Sequence, residues 1–133
     1  MSQQRLDHLT QTLRERGYRL TPQRLAVLQG LAQSAGHPSV EEIHQRVRRD
    51  FPTTSLATIY KPIHLLKEMG EILELGFADW GSRYDGRRPY PHPHVICTHC
   101  GAVVDPDFPA MAEMARDMSE KTGFAITHHR LDF

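Results

Sequence analysis

His92-Pro-His94 and Cys97-Thr-His-Cys100 place two imidazoles and two thiols within nine residues of one another. Side chains two apart on a strand project to the same face, so His92 and His94 can converge on one ion. Cysteines separated by two residues form the tight turn that grips zinc or iron through sulfur. Thiolates favour a closed structural zinc, whereas imidazole with carboxylate suits an exchangeable Fe, Mn, Ni or Zn ion. Two donor sets of different softness therefore predict two metal sites with different tasks. His99, inside the knuckle, reads as an exposed turn residue.

The elements that must position these donors differ between the two halves of the chain. Leu6, Leu9 and Leu13 recur at helical spacing and Gly17 closes that segment. Thr21-Pro22 reads as an N-cap followed by the first helical residue, with Leu25, Leu28, Leu31 and Ala32 as the inward stripe. Ser39-Val-Glu-Glu42 is a capping box opening a third helix on Val40, Ile43 and Val47, which Phe51-Pro52 ends. Thr54-Ser55 opens a fourth, with Leu56, Ile59, Ile63 and Leu66 on one side and Gly70 as its stop. Pro62 inside that helix removes a backbone hydrogen bond, costs roughly 3 kcal/mol and predicts a kink. Residues 71–78 alternate as a strand, and Ser82–Asp85 is its hairpin partner.

Helices followed by a hairpin make a winged helix-turn-helix, in which the helix before the wing enters the major groove. Here that helix covers about 55–69 and offers Ser55, Thr58, Tyr60 and Lys61 to phosphates or base edges. The same periodicity also fits a plain helical bundle with a solvated polar face. The second half begins with a Gly-, Pro- and Arg-rich stretch, 79–93, that reads as a hinge or exposed loop. Strand His94–Cys97, the knuckle, strand Ala102–Asp105, a helix from about Pro109 to Thr122 and strand Phe124–Phe133 follow. Met111, Met114 and Met118 share one helical face, the pattern of a core or subunit contact rather than a methionine metal site. A module this small needs metal or dimerisation for stability.

Bulk properties exclude several classes. Of 133 residues 24% are charged and 39% hydrophobic, with formal net charge zero, as in an ordinary soluble protein of one or two small domains. No apolar run approaches the ~20 residues of a membrane span, and residues 1–20 lack a signal-peptide core, so a cytoplasmic protein is expected. Residues 1–75 hold ten Lys and Arg against eight Asp and Glu (+2), and residues 76–133 six against eight (−2). The first half is thus mildly basic, enough for DNA if the charge is gathered on one face.

Six pieces occur in order: Gly17-Tyr-Arg-Leu-Thr-Pro-Gln-Arg24, His37-Pro38, Ser55-Leu-Ala-Thr-Ile-Tyr60, His92-Pro-His94, Cys97-Thr-His-Cys100-Gly101 and His128-His129-Arg-Leu131. Together they resemble the ferric uptake regulator family over nearly the whole chain. The resemblance implies an α+β protein: an N-terminal winged helix-turn-helix domain, 1–80, a ligand-bearing hinge, 81–93, and a small C-terminal α/β dimerisation domain, 94–133. It implies a homodimeric, metal-dependent repressor binding palindromic double-stranded operator DNA, with Arg19, Gln23 and Arg24 joining Ser55, Thr58, Tyr60 and Lys61 at the duplex. It also implies a regulatory Fe(II) or Mn(II) on His37, Asp85, His92, His94 and Asp105, and an auxiliary role for His129 rather than His128. Aspartate at both 85 and 105 most resembles the peroxide-responsive branch, where bound iron reacts with hydrogen peroxide and a ligand histidine, here His37 or His92, is oxidised. An iron-, manganese- or zinc-responsive uptake regulator is the alternative within the family.

One departure concerns the structural Zn(II). The family uses two CxxC pairs, and only Cys97 and Cys100 are present, whereas a closed zinc site takes four ligands. Either a C-terminal tail is missing, which is the expectation, or the two cysteines form a disulfide or stay as thiols. Two rival classes use the same donors: a metalloenzyme, which no HExxH, nucleophile elbow or phosphate loop supports, and a metal-storage module, which leaves the winged-helix pattern unused. A regulator, not an enzyme, is expected.

Overall fold

The computed structural model describes residues 2–33, 36–77 and 81–133 and divides into two units, Met1–Pro89 and Tyr90–Phe133. In the first unit four helices come in succession: α1 (Ser2–Glu15), α2 (Pro22–Gln33), α3 (Val40–Arg48) and α4 (Leu56–Glu68). Local chemistry sets their ends. The Thr21 hydroxyl accepts from the Arg24 amide at 3.3 Å, and Ser39 accepts from Glu42 at 3.2 Å. Ser55 does the same for Thr58 at 3.4 Å, so the starts of α2, α3 and α4 each have a side chain for one of their orphan amides. Gly17 and Gly70 follow α1 and α4 in the left-handed region (φ 76° and 72°), where a Cβ would be strained.

The inward stripes pack as one cluster: Leu6, Leu9 and Leu13 from α1, Val27, Leu28 and Leu31 from α2, Val40, Ile43 and Val47 from α3, and Ile59, Ile63 and Leu66 from α4. Each such side chain removed from water contributes about 1.5–3 kcal/mol, so this cluster is the main stabilising element of the unit. Leu56, expected on the α4 stripe, is instead 43% exposed; as the first residue of the helix it lies a turn beyond the cluster that covers Ile59. α4 runs through Pro62, which is itself buried, so its packing offsets the missing backbone hydrogen bond.

A two-stranded antiparallel sheet completes the first unit: β1 (Leu73–Phe77) pairs with β2 (Gly81–Asp85), in the register Leu73 to Asp85 and Leu75 to Arg83. Part of the stretch read as hinge or exposed loop is therefore strand, and both Asp85 and His92 within it are buried. Ala78, Asp79 and Trp80 lie outside the described residues. Helices followed by this hairpin form a winged helix-turn-helix, and the protein as a whole is α+β.

In the second unit β3 (Val95–Ile96) and β4 (Val103–Val104) pair antiparallel, followed by α5 (Ala110–Thr122). The strand expected over 124–133 does not form. Only its end pairs, where the His94 amide donates to Leu131 O, Phe133 to His94 O and Ile96 to Phe133 O, at 3.1, 2.9 and 2.8 Å. Alternating apolar residues need a neighbouring ladder to become a strand, and β3 is only two residues long. Apart from Pro93, Met111 is the one hydrophobic side chain buried among the described residues of this unit. Met114, Met118, Phe124, Ile126 and Phe133 are exposed, so the methionine face is core at one position and surface at two.

Candidate metal centre and DNA-reading helix

Each unit carries its own set of donors, all buried except Asp105, which is half-buried. In the first, His37 precedes α3 and Asp85 ends β2, with His37 Nε2 3.4 Å from Asp85 Oδ2. Strand β2 holds the His37 segment directly: the Tyr84 amide donates to Pro38 O at 2.9 Å and Arg83 Nη1 to His37 O at 3.2 Å. Arg83 also pairs with Glu42 of α3 at 3.6 Å. The Asp85 carboxylate is divided, its Oδ1 accepting from the Arg87 and Arg88 amides, both at 2.9 Å, while Oδ2 faces the imidazole.

In the second unit the donors lie before β3 and after β4. Asp105 stands between two imidazoles, with Oδ2 3.2 Å from His92 Nε2 and Oδ1 3.6 Å from His94 Nε2. The rings are 4.5 Å apart between centroids, so the spacing that predicted convergence delivers it. His92 Nδ1 lies 2.8 Å from Tyr90 O, the geometry of a ring N–H donating to a carbonyl. That bond fixes the tautomer which presents Nε2 as a lone pair. His94 Nδ1 lies 3.5 Å from Asp132 Oδ1, and Arg130 Nε donates to Asp132 Oδ2 at 2.7 Å. Buried carboxylates are costly without a counter-charge, and a divalent cation supplies one. Three imidazoles and two carboxylates over the two sets are the donor types of Fe(II) or Mn(II).

Cys97 and Cys100 are exposed thiols in a tight turn, with the Gly101 amide donating to Cys97 O at 2.8 Å and the Cys97 amide to Ala102 O at 2.9 Å. Backbone hydrogen bonds from Cys100 and His99 hold the Cys97 thiol below its ordinary pKa, which favours the thiolate that binds metal. His128 is exposed and His129 half-buried. His129 lies with Met111, Met114, Met118 and Ile126 on a largely apolar groove of about 230 Å³.

The residues expected at DNA lie on α2 and α4 or just before them, Arg19 preceding α2 and Ser55 capping α4. Tyr60 and Lys61 are exposed on α4. The Ser55 and Thr58 hydroxyls lie 3.1 Å apart and bond to each other at the helix start. Arg19 is exposed, Gln23 half-buried, and Arg24 lies 4.5 Å over the Tyr18 ring while donating to Arg19 O at 2.6 Å.

Sequence reasoning missed Arg5, Arg83 and Asp132. Arg5 and Arg83 work at long range, on partners 81 and 46 residues away, which no local period reveals. Asp132 had a signal: it follows the His128–Leu131 motif by one residue.

A winged-helix unit followed by a small α/β unit rich in imidazole, carboxylate and thiol donors defines a metal-responsive DNA-binding class. Residues 15–133 match the model of the ferric uptake regulator family. The chain is 40% identical over 127 residues to the peroxide-responsive repressor PerR of Staphylococcus aureus, covering 96% of this chain and 85% of that protein. Its fold is similar to the Helicobacter pylori ferric uptake regulator Fur (TM-score 0.82, 25% identity, 100% of this chain and 89% of that one). It is also similar to the Campylobacter jejuni peroxide stress regulator (TM-score 0.74, 31% identity, 92% and 91%). The protein belongs to the ferric uptake regulator family.

Proposed function

We propose that this protein is a metal-dependent transcriptional repressor that senses hydrogen peroxide. The observation that carries this reading is the pair of donor sets, buried His37 with Asp85 and buried His92 and His94 with half-buried Asp105, in which both carboxylates are aspartate. Similarity to PerR supports the peroxide branch. In this reading His37, Asp85, His92, His94 and Asp105 would hold one Fe(II) or Mn(II), which would favour the DNA-binding arrangement if that arrangement binds it more tightly. Bound iron supplies the one-electron chemistry that peroxide oxidation of a ligand imidazole requires, and manganese reacts poorly. His37 or His92 would gain one oxygen in place of a ring hydrogen as peroxide is reduced to water, and the altered ring would be a poorer ligand, so that the five residues would no longer hold the operator-binding arrangement.

Around that event the residues of the chain bind and orient. Tyr90 O holds the His92 imidazole by its Nδ1 and Asp132 lies 3.5 Å from that of His94, while Arg83 and the Tyr84 amide fix the His37 segment. If a second CxxC pair supplies the other two of the four ligands, Cys97 and Cys100 would contribute two thiolates to a structural Zn(II). Arg19, Gln23, Arg24, Ser55, Thr58, Tyr60 and Lys61 contact a palindromic duplex. The exposed apolar face of α5, Met114 and Met118 with Ile126 beside them, covers its counterpart in a homodimer. No helix among the described residues is long and apolar enough to cross a membrane, and the reading places the regulator in the cytoplasm. Its action is regulatory, not enzymatic.

The test is peptide mass analysis after anaerobic Fe(II) loading and brief peroxide exposure, with Mn(II)-loaded protein alongside. One added oxygen on His37 or His92, in the iron sample alone, is expected. Unmodified histidines despite confirmed iron occupancy would move the assignment to a metal-uptake regulator, the second reading favoured by the fold's similarity to a manganese uptake regulator (TM-score 0.72, 30% identity, 94% of this chain and 95% of that one).

A further inference from the structure

Arg5 is a charged side chain on α1 that is largely enclosed, its side chain 16% exposed, and it does not enter the metal or DNA chemistry above. Its guanidinium makes several contacts. Nε donates to Gly86 O at 2.6 Å, Nη1 donates to Glu71 Oε2 at 3.3 Å, and Nη2 donates to the Glu71 carbonyl. The planar fork is thus used on two backbone oxygens and a carboxylate, a pattern that a point charge cannot reproduce.

The Gly86 carbonyl belongs to the peptide unit whose N–H is that of Arg87. This amide donates to Asp85 Oδ1 at 2.9 Å. A peptide unit is planar, so an arginine that fixes the carbonyl also fixes the direction of the amide. Arg5 holds one side of this plane and Asp85 the other. The turn has little freedom to compensate, because a Cβ built on Gly86 would lie 2.7 Å from Leu31 O. With Oδ1 tied to the Arg87 and Arg88 amides, Oδ2 is directed at His37.

We infer that Arg5 is a positioning residue for metal binding: from α1 it clamps the Gly86–Arg87 peptide and thereby aims the Asp85 carboxylate. The inference rests on the proposed assignment of Asp85 as a ligand. It makes the docking of α1 and the affinity for metal mutually dependent, since coupling between two sites is reciprocal. Partners that orient a metal ligand typically change affinity ~10–100-fold when removed.

The experiment measures Mn(II) affinity by competition with a fluorescent chelator for the full chain, Arg5→Gln, Arg5→Lys and Asp85→Asn, with Co(II) absorption spectra of each. Arg5→Gln should weaken Mn(II) by ~10–100-fold and alter the Co(II) bands, and Arg5→Lys should recover part of both. Arg5 variants within twofold of wild type, while Asp85→Asn loses metal, would overturn the role of Arg5 alone. Asp85→Asn binding Mn(II) as wild type does would overturn the ligand assignment beneath it. Hydrogen exchange on the unaltered chain decides the matter if Arg5→Gln does not fold. Added Mn(II) should slow exchange in the peptides covering α1 and 85–88 together, and metal-bound protein with α1 unprotected would refute the coupling.

Discussion

Gly86→Ala tests whether the Asp85 turn is as closely packed as the structure indicates. The added methyl carbon would stand 2.7 Å from the Leu31 carbonyl oxygen, 2.8 Å from Leu31 Cβ and 2.9 Å from Leu31 C. All three contacts are closer than van der Waals separation, and none is made by the end of a flexible side chain. Leu31 is itself buried in α2, so its backbone cannot retreat without disturbing the helical core. Overpacking of a filled interior typically costs about 1–3 kcal/mol. For a domain of this size each kcal/mol lowers Tm by roughly 4–8 °C. Gly76→Ala is the control, since a Cβ there meets nothing within 4 Å. Urea unfolding of the metal-free proteins, followed by far-UV circular dichroism, gives the difference. Gly86→Ala should lose about 1–3 kcal/mol against wild type and bind Mn(II) more weakly as the Asp85 turn moves. A Gly86→Ala protein as stable as wild type would show that the turn has room to shift, and would remove the packing half of the argument for a fixed Asp85.

Two further predictions concern other faces of the first unit. Lys61→Ala should weaken operator binding and reduce the slope of log K against log salt by about one phosphate contact, roughly 0.9; an unchanged slope would place Lys61 away from the DNA backbone. Glu74 is held below the ordinary carboxylate value of 4.5, chiefly by its bond from Lys67, with Ser82 and Tyr84 also donating and burial opposing. A depressed folded-state pKa contributes stability that is complete above the unfolded value and is lost as pH falls through the folded one. Urea unfolding between pH 3 and 7 (about the range that brackets this loss) should therefore show Glu74→Gln less stable than wild type at neutral pH and converging with it in acid; parallel profiles would mean the Lys67 pair contributes nothing.

How much of the fold could be read in advance followed the range of the interactions. α3 was legible because Ser39 caps it within three residues and Val40, Ile43 and Val47 repeat within two turns. α4 was legible for the same reasons, with Ser55 as cap, although Leu56 shows that a stripe identifies a face and not how far along the helix the core extends. The segment 124–133 shows the converse. Its apolar residues alternate plausibly, but a strand is made by its neighbour, and only 131–133 finds one in 94–96. Sequence contains no local sign of where a ladder runs out.

The candidate site divides along the same line. His92 and His94 could be paired from spacing alone, because two residues of extended chain bring both rings to one side, and the structure places Asp105 within 3.6 Å of each. His37 and Asp85 could be singled out only by resemblance, since nothing local joins a histidine before a helix to an aspartate at a strand end. What joins them is β2, whose Tyr84 amide and Arg83 side chain grip the two carbonyls beside His37 while the same strand delivers Asp85. Ligands announce themselves by residue type, and the groups that aim them do not: an arginine on the first helix looks like any other solvated charge. A resemblance based on donors therefore predicts which metals a protein of this fold can hold. How tightly it holds them is set, on the inference above, by contacts between residues far apart in sequence, such as that of Arg5 with Gly86, and is measured by the affinity of the variants.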